Sequence, residues 1–153
     1  MSWWIAGAQR TLTEEIPATP VRVRDFYVDL KNIRRVHPLV VAVRSTGRDQ
    51  TADGYVQTYR VRDRIPLRPF TLRTSYVATL HVPAVGDVEA EARQFPRVRL
   101  RSTVAFDQIE TGTRVIEHMR IEAPRPLAGV TAREAIKAHI AMLSGIRRIF
   151  EEA

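Results

Sequence analysis

The sequence predicts an α+β domain in which a curved antiparallel sheet packs against a long C-terminal helix. Between residues 39 and 122, apolar and polar residues alternate with a period of two, which is typical of antiparallel strands with one solvated face. After residue 131, apolar residues recur every three or four positions, which is typical of an amphipathic helix. The chain of 153 residues is long enough to bury one core, so one domain spanning 1–153 is expected.

One strand and two short helices are predicted ahead of this alternating region. The first strand covers Ala8 to Ile16. Thr19 followed by Pro20 has the pattern of a helix N-cap with proline in the first turn. Asn32 is predicted to cap the second short helix, which Pro38 ends.

Six further strands are predicted because turn-forming residues divide the alternating region into runs. These turn signals are Gly47, Asp53-Gly54, Pro66 to Pro69, Pro83 to Gly86, Pro96 and Thr111-Gly112. The inward face of one run is predicted to carry Tyr55, Gln57, Tyr59, Val61, Asp63 and Ile65. Asp63 is expected to be solvated, because it is near the end of this run. Consecutive strands joined by tight turns should form a meander, with the first strand pairing at its far edge.

The C-terminal helix is the clearest element of the pattern. Thr131 and Glu134 have the spacing of a capping box, which predicts that the helix begins there. Its apolar stripe consists of Ala132, Ile136, Leu143, Ile146 and Phe150, with His139 in the middle. About twenty residues at ~1.5 Å each give a rod of ~30 Å, enough to cross a small sheet.

Three stretches of the chain resemble the START-like helix-grip superfamily (SRPBCC), which includes polyketide cyclase/dehydrase proteins and the birch-pollen-allergen group. They are IPATPVRVRDFYVDLKNIRRVHPLV (16–40), TGTRVIEHMRIEAPRPL (111–127) and AIKAHIAMLSGIRRIFEE (135–152). The resemblance implies a seven-stranded curved antiparallel sheet around a long C-terminal helix, with two short helices after the first strand. It also implies a cavity between helix and sheet that binds lipids, polyketides, hormones or isoprenoids. Some members are cyclases or aromatases, and some associate with ribosomes, but no catalytic motif can be carried over residue by residue.

The predicted ligand-binding residues lie on the inward faces of these elements. They are Phe26, Tyr55, Tyr59, Tyr76, Leu100, Glu117, Met119, Ile136, His139 and Leu143. His139 is interpreted either as a core histidine bonded to a carbonyl or tyrosine, or as a hydrogen-bonding group for a ligand. Glu117 is interpreted either as an edge or bulge position that reaches water, or as a buried partner of His139. These two residues are the only catalytic candidates, and neither is assigned a role in chemistry.

The composition excludes several classes of site. With no cysteine, the chain has no disulfide, thiolate chemistry or Cys-based zinc site. His37, His81, His118 and His139 lack the close spacing of a zinc site, so no metal or cofactor is expected. The start MSWWIAGAQR has neither a basic segment nor a long apolar run, and no stretch of 18 apolar residues occurs, so we expect a cytoplasmic protein.

The chain is basic, with 24 Lys and Arg against 17 Asp and Glu and a net charge of +7. Arg99, Arg101, Arg114 and Arg120 are predicted to cluster on the outer face of the sheet. These features lead to three hypotheses for the function, given in decreasing order of support from the sequence. The first is reversible binding of a hydrophobic small molecule, and the second is a cyclase, aromatase or dehydratase. The third is an interaction protein whose basic face binds RNA, the ribosome or an anionic membrane. The ligand and the oligomeric state are left open.

Overall fold

The computed structural model describes residues 3–67 and 69–153, with the backbone alone at Leu67. Seven antiparallel strands form one sheet in the order β1-β7-β6-β5-β4-β3-β2. The strands are β1 (Ile5–Ile16), β2 (Val40–Gln50), β3 (Gly54–Leu67), β4 (Phe70–Pro83), β5 (Val88–Gln94), β6 (Val98–Ile109) and β7 (Gly112–Pro124). The helices are α1 (Pro20–Val28), α2 (Leu30–Ile33) and α3 (Arg125–Glu151). The predicted meander, closed at its far edge by the first strand, is confirmed.

The predicted strands match well in position, with one shift at the start of the chain and one predicted turn that is wrong. Gly47 does not end a strand but lies inside β2, where the pairing with β3 shifts register between Ser45 and Gly47. β1 begins at Ile5 rather than Ala8, because its pairing with β7 continues to Ile5 opposite Pro124. Gly112 follows the turn between β6 and β7 with φ 143°, a conformation that other residues rarely adopt. A Cβ atom there would collide with the carbonyl oxygen of Ile16, so glycine allows β1 to end against this turn.

The two short helices turn the chain back across one end of the sheet. Thr19 is the N-cap of α1, as predicted, and its hydroxyl accepts from the Arg22 amide at 3.5 Å. The prediction that Asn32 caps the second helix is wrong. Asp29 is the cap, and its carboxylate accepts from the Lys31 amide at 3.0 Å, so the two helices are almost continuous.

The long helix begins six residues earlier than the capping-box pattern predicted. α3 starts at Arg125 with Pro126 in its first turn, so Thr131 lies inside the helix and does not cap it. Proline favours the first turn because its missing N–H would have no helical partner there. The 27 residues give a rod of ~40 Å rather than ~30 Å. No helix in the described part of the chain is both long and apolar enough to cross a membrane.

The core lies between the sheet and the C-terminal half of α3. Ala138, Met142, Leu143, Gly145 and Ile146 are the buried residues of the helix. They face a cluster on the sheet and on α1 that includes Ile16, Val23, Val61, Val88, Val104, Val115, Met119 and Ile121. The fold is therefore the helix-grip arrangement of seven curved strands around a C-terminal helix.

The hairpin of β3 and β4 extends beyond its neighbours on both sides. β2 pairs with β3 only up to Val40 opposite Asp63, whereas β3 and β4 stay paired to Leu67 opposite Phe70. The turn predicted at Pro66 to Pro69 includes Arg68, which lies outside the described residues. Because the hairpin continues past Asp63, this residue is not near the strand end, and its predicted solvation is wrong. Asp63 is only 8% exposed.

Candidate ligand-binding cavity

A cavity of about 520 Å³ lies between the sheet and the N-terminal half of α3. The β3–β4 hairpin, the turn between β5 and β6 and the first turns of α3 surround it. Most of its wall is apolar, and the residues that form this part are Leu39, Ile65, Leu72, Ala92, Phe95, Pro96, Val98, Leu100, Ile121, Leu127, Val130 and Ala135. The helix is thus packed solidly over one half of the sheet and spans a hollow over the other half.

A polar spot in this wall is made by two neighbouring strands. Asp63 on β3 and Thr74 on β4 are directly opposite each other and both line the cavity. In the described part of the chain, three buried side-chain polar atoms lack a hydrogen-bond partner, and two of them are Asp63 Oδ1 and Thr74 Oγ1. Buried polar atoms in folded proteins are usually bonded. The cavity therefore contains an unsatisfied polar pair.

Asp63 and Tyr76 influence each other electrostatically. Burial raises the pKa of Asp63 to about 6, although the Tyr76 hydroxyl and His139 oppose this shift. Burial and the neighbouring Asp63 raise the pKa of Tyr76 well above its usual value. At neutral pH the cavity therefore holds a neutral tyrosine beside a carboxyl group that is easily protonated.

Behind the wall, three side chains form a hydrogen-bonded chain. Glu117 on β7 is fully buried, so the edge or bulge interpretation is excluded. One carboxylate oxygen lies 2.5 Å from His139 Nδ1 on α3, and the other accepts from the Tyr27 hydroxyl of α1 at 3.1 Å. Burial lowers the pKa of His139, but the charge and hydrogen bond of Glu117, together with Asp63, outweigh it and leave the pKa raised. Because His139 also lines the cavity, its Nε2 is the nitrogen available to a bound molecule.

A second histidine faces the same space. The His37 ring packs edge-on against His139, with ring centroids 5.4 Å apart, and His37 lines the cavity. Its Nδ1 accepts from the Leu39 amide at 3.3 Å, which places the proton of the neutral ring on Nε2. Burial and the charge of His139 lower the pKa of His37 to about 3, so this ring is neutral at physiological pH. In the described residues, no group of three or more side chains suited to holding a metal ion occurs.

The structure places only some of the ten residues predicted to bind a ligand at the cavity. Tyr76, Leu100 and His139 line the cavity, and Glu117 lies behind it as the partner of His139. Met119 and Leu143 are buried in the core, and Ile136 is half-buried and packs against it. The other three are held by neighbours away from the cavity wall: Phe26 against Phe150, Tyr55 under the Arg48 guanidinium and Tyr59 with its hydroxyl on the Val28 carbonyl.

Sequence reasoning missed several polar groups of the cavity. Thr74 is on the predicted inward face of its strand, but nothing in the pattern distinguishes it from a packed residue. Tyr27 follows Phe26 in α1, and the sequence does not indicate its hydroxyl contact with Glu117, a residue 90 positions away. His37 precedes the proline that ends the second short helix, and nothing in that position indicates that its ring lines the cavity.

The predicted cluster of arginines on the outer sheet face is neutralised by acidic neighbours. Arg99 pairs with Glu91 at 2.7 Å, and Arg114 pairs with Glu15 at 2.9 Å. Both remaining arginines, Arg101 and Arg120, lie 3.4 Å from the Glu122 carboxylate. This face carries alternating charges rather than a field of one sign.

Comparison with known structures identifies the same fold. The protein TTHA0849 from Thermus thermophilus is 18% identical, with a TM-score of 0.66 and coverage of 94% of each chain. The di-domain ARO/CYC protein BexL is 16% identical, with a TM-score of 0.70 over 95% of this chain and 50% of its own. The Zhui aromatase/cyclase from a Streptomyces species is 14% identical, with a TM-score of 0.61 over 96% and 94% of the two chains. At these identities the likeness concerns the fold alone.

Family membership comes from the sequence itself. No curated protein shows significant similarity to the chain. The model of the family described as "Polyketide cyclase / dehydrase and lipid transport" matches residues 8–148, which is nearly the whole chain. The chain therefore belongs to the polyketide cyclase/dehydrase and lipid transport family.

Proposed function

We propose that this protein binds a hydrophobic small molecule that carries a carbonyl or hydroxyl group at one end. The observation that supports this most strongly is the unsatisfied pair of Asp63 Oδ1 and Thr74 Oγ1 in the wall of a mostly apolar cavity. Leaving buried polar atoms without partners is costly, and a polar group of a ligand would relieve that cost. Family membership and the aromatase/cyclase proteins among the structural neighbours are consistent with such a ligand.

The apolar part of the ligand would occupy the space between the helix and the strands. A volume of about 520 Å³ is in the range of small-molecule sites. Burial of apolar surface would contribute about 25 cal/mol per Å² before the costs of binding are subtracted. The polar spot then orients the molecule, with the Thr74 hydroxyl and Asp63 as donor or acceptor and His139 Nε2 as donor.

Filling the cavity from the helix tests this proposal. Ala135 lines the cavity, whereas Arg133 on the same helix is exposed, so Ala135→Phe and Arg133→Phe form a matched pair. We expect anilinonaphthalene sulfonate to fluoresce on binding to the wild type and to Arg133→Phe, and to lose most of this signal with Ala135→Phe. Native mass spectrometry of the purified protein would show whether a ligand co-purifies. Equal dye binding by all three proteins would contradict a ligand site in this cavity.

A second candidate function, proton transfer on the bound molecule, is favoured by the chain from Tyr27 through Glu117 to His139. The Glu117 carboxylate fixes the orientation of the His139 ring and raises its pKa, which would make Nε2 a proton donor toward the cavity. Asp63, with a pKa of about 6, is a candidate for the complementary base. Such a pair suits dehydration or cyclisation of a β-hydroxy ketone.

The two candidates predict different effects of the same substitutions. If the protein is an enzyme, His139→Gln and Glu117→Gln lower the turnover of a β-hydroxy ketone by about 10²-fold or more, with a smaller effect on its binding. Thr74→Val is the matched control, because it alters the polar spot without touching the proton-transfer groups, and we expect it to weaken binding instead. Unchanged turnover in His139→Gln would rule out the catalytic role and leave ligand binding.

A further inference from the structure

All exposed aromatic side chains in the described residues lie at one end of the molecule. They are Trp3 at 81% exposure, Trp4 at 36%, Phe70 at 76% and Phe95 at 91%. Because the strands are antiparallel, four segments lie at the same end of the strands. They are the start of β1, the β3–β4 turn, the β5–β6 turn and the start of α3. The Arg125 amide donates to the Trp4 carbonyl at 2.7 Å, which ties the start of the chain to the start of the helix. We call the segments 3–4, 69–70, 95–97 and 124–127 the aromatic end.

Basic side chains accompany the aromatic ones at this end. Arg64 and Arg73 face each other across the β3–β4 hairpin, and Arg97 and Arg125 flank the aromatic side chains, with the Arg97 guanidinium 5.0 Å from the Trp4 ring. Among the acidic residues near this end, Glu91 and Glu122 are paired with arginines, whereas Asp63 and Glu134 line the cavity. At the opposite end acidic and basic side chains are mixed, and several are paired: Glu14 with Arg147, Glu15 with Arg114 and Asp53 with His81.

We propose that the aromatic end docks on the surface of an anionic lipid bilayer. Tryptophan and phenylalanine combined with arginine are the side chains that favour the boundary between headgroups and acyl chains. Each basic residue near an anionic surface adds a favourable electrostatic contribution. Arginines at the opposite end that are paired with carboxylates, such as Arg114 and Arg147, contribute less, so the aromatic end is the side favoured to face the bilayer. The aromatic side chains project from the tips of separate segments, which suits shallow insertion better than stacking of nucleic-acid bases in a groove.

The same end holds the mouth of the cavity. Leu72, Phe95 and Leu127 line the cavity and are also exposed, by 47%, 91% and 38%. Docking in this orientation would place the cavity mouth against the bilayer. The docking proposal depends only on the surface, so it stands whether or not the proposed cavity ligand is correct.

Vesicle co-sedimentation tests the docking of the intact protein. Vesicles of phosphatidylcholine alone are compared with an equimolar mixture of phosphatidylcholine and phosphatidylglycerol. We expect the wild type to bind only the anionic vesicles, with binding that weakens as salt is raised. The double variant Phe70→Ser with Phe95→Ser should bind them at least about tenfold more weakly. The control is Val21→Ser with Val85→Ser, whose side chains are 68% and 89% exposed and lie outside the aromatic end.

A second pair of variants tests the electrostatic contribution. Arg64→Glu, beside the aromatic end, should weaken vesicle binding, whereas Arg148→Glu, near the far end of α3, should not. All substituted side chains are exposed, so unchanged thermal unfolding is expected and serves as the folding check. Absence of vesicle binding, equal loss in the valine control, or binding to RNA or an acidic protein in place of vesicles would overturn the proposal.

Discussion

Glu117 shows how a carboxylate can be fully buried in this fold. One oxygen faces His139 Nδ1 and the other accepts from the Tyr27 hydroxyl, so both oxygens are satisfied. A buried charge is tolerated when it is paired and hydrogen-bonded. If one partner is removed, the desolvation free energy of the remaining group is no longer offset. The three residues therefore act as one unit that ties α1, β7 and α3 together.

Substituting Glu117 should change the titration of His139. Burial alone lowers the pKa of His139, and Glu117 is the main group that raises it. In Glu117→Gln, we therefore expect the midpoint of His139 protonation to move to lower pH, as measured by NMR of the histidine ring. The control Glu89→Gln alters an exposed carboxylate and should leave that midpoint in place. An unmoved midpoint in Glu117→Gln would mean that the two side chains are not coupled in solution.

Asp63 should make the stability of the fold depend on pH. Its pKa in the folded state is about 6, against 3.8 for the ordinary group. Between these values the folded chain retains a proton that the unfolded chain releases, so stability falls as the pH rises through this window. Relative to Asp63→Asn, which cannot ionise, the wild type should lose on the order of 3 kcal/mol between about pH 4 and pH 7.

Urea unfolding at several pH values measures this difference. His37 contributes in the opposite direction, because its pKa is lowered, but it is present in both proteins and its effect largely cancels in the comparison. Asp87→Asn, which changes an exposed carboxyl group, should run parallel to the wild type. Parallel curves for Asp63→Asn and the wild type would show that Asp63 is solvated after all.

At the scale of elements, the sequence predicted what depends on local pattern. Period-two alternation placed Gln57, Tyr59 and Glu117 on the buried face of the sheet, because neighbouring positions in a strand point to opposite sides. It did not reveal which buried positions face packed side chains and which face a hollow, since that depends on where α3 crosses the sheet. Asp63 was misjudged for a second reason: β3 and β4 stay paired beyond it, and how far two strands pair is not visible in either strand alone.

The start of α3 illustrates a conflict between two local signals. Thr131 and Glu134 have capping-box spacing, but Pro126 also favours a first turn, and the earlier signal determines the helix start. The additional turns carry Leu127 and Val130 to the cavity wall. The early start of the helix therefore helps to form the hollow.

Two glycines of α3 should respond oppositely to alanine. At Gly145 a Cβ atom would lie 2.9 Å from the Val36 Cβ, whereas at Gly129 nothing lies within 4 Å. Gly129→Ala should therefore stabilise the protein by about 0.5–1 kcal/mol through helix propensity. Gly145→Ala should destabilise it by about 1–3 kcal/mol despite the same gain, because α3 and the segment after α2 are in close contact there.

Denaturant unfolding of both variants checks this contact. The double variant Val36→Ala with Gly145→Ala should lose less unfolding free energy than the two single variants lose together, because the smaller side chain at position 36 relieves the clash. If Gly145→Ala were as stabilising as Gly129→Ala, the close packing between α3 and Val36 would be wrong.

At the scale of the whole molecule, the interior is divided into a packed half and a hollow half along α3. Leu143 and Ile146, toward the end of the helix, are 2% and 0% exposed within the core cluster. Ala135 and His139, nearer its start, face the cavity. This division separates the residues that maintain the fold from those that would contact a ligand, so the cavity wall can change with less effect on stability.

Truncating one leucine in each half should reveal this division. Leu143→Ala leaves a new hole in close-packed surroundings and should cost about 2–5 kcal/mol in the free energy of unfolding. Leu100 already borders the cavity, so Leu100→Ala enlarges an existing space and should cost clearly less, about 1–2 kcal/mol. Urea unfolding measures both values. Leu100→Ala should also change dye binding, whereas Leu143→Ala should leave it intact under conditions in which the variant is folded. Equal losses of stability, with no change in dye binding for Leu100→Ala, would indicate that the space beneath the start of α3 is filled by side chains in solution.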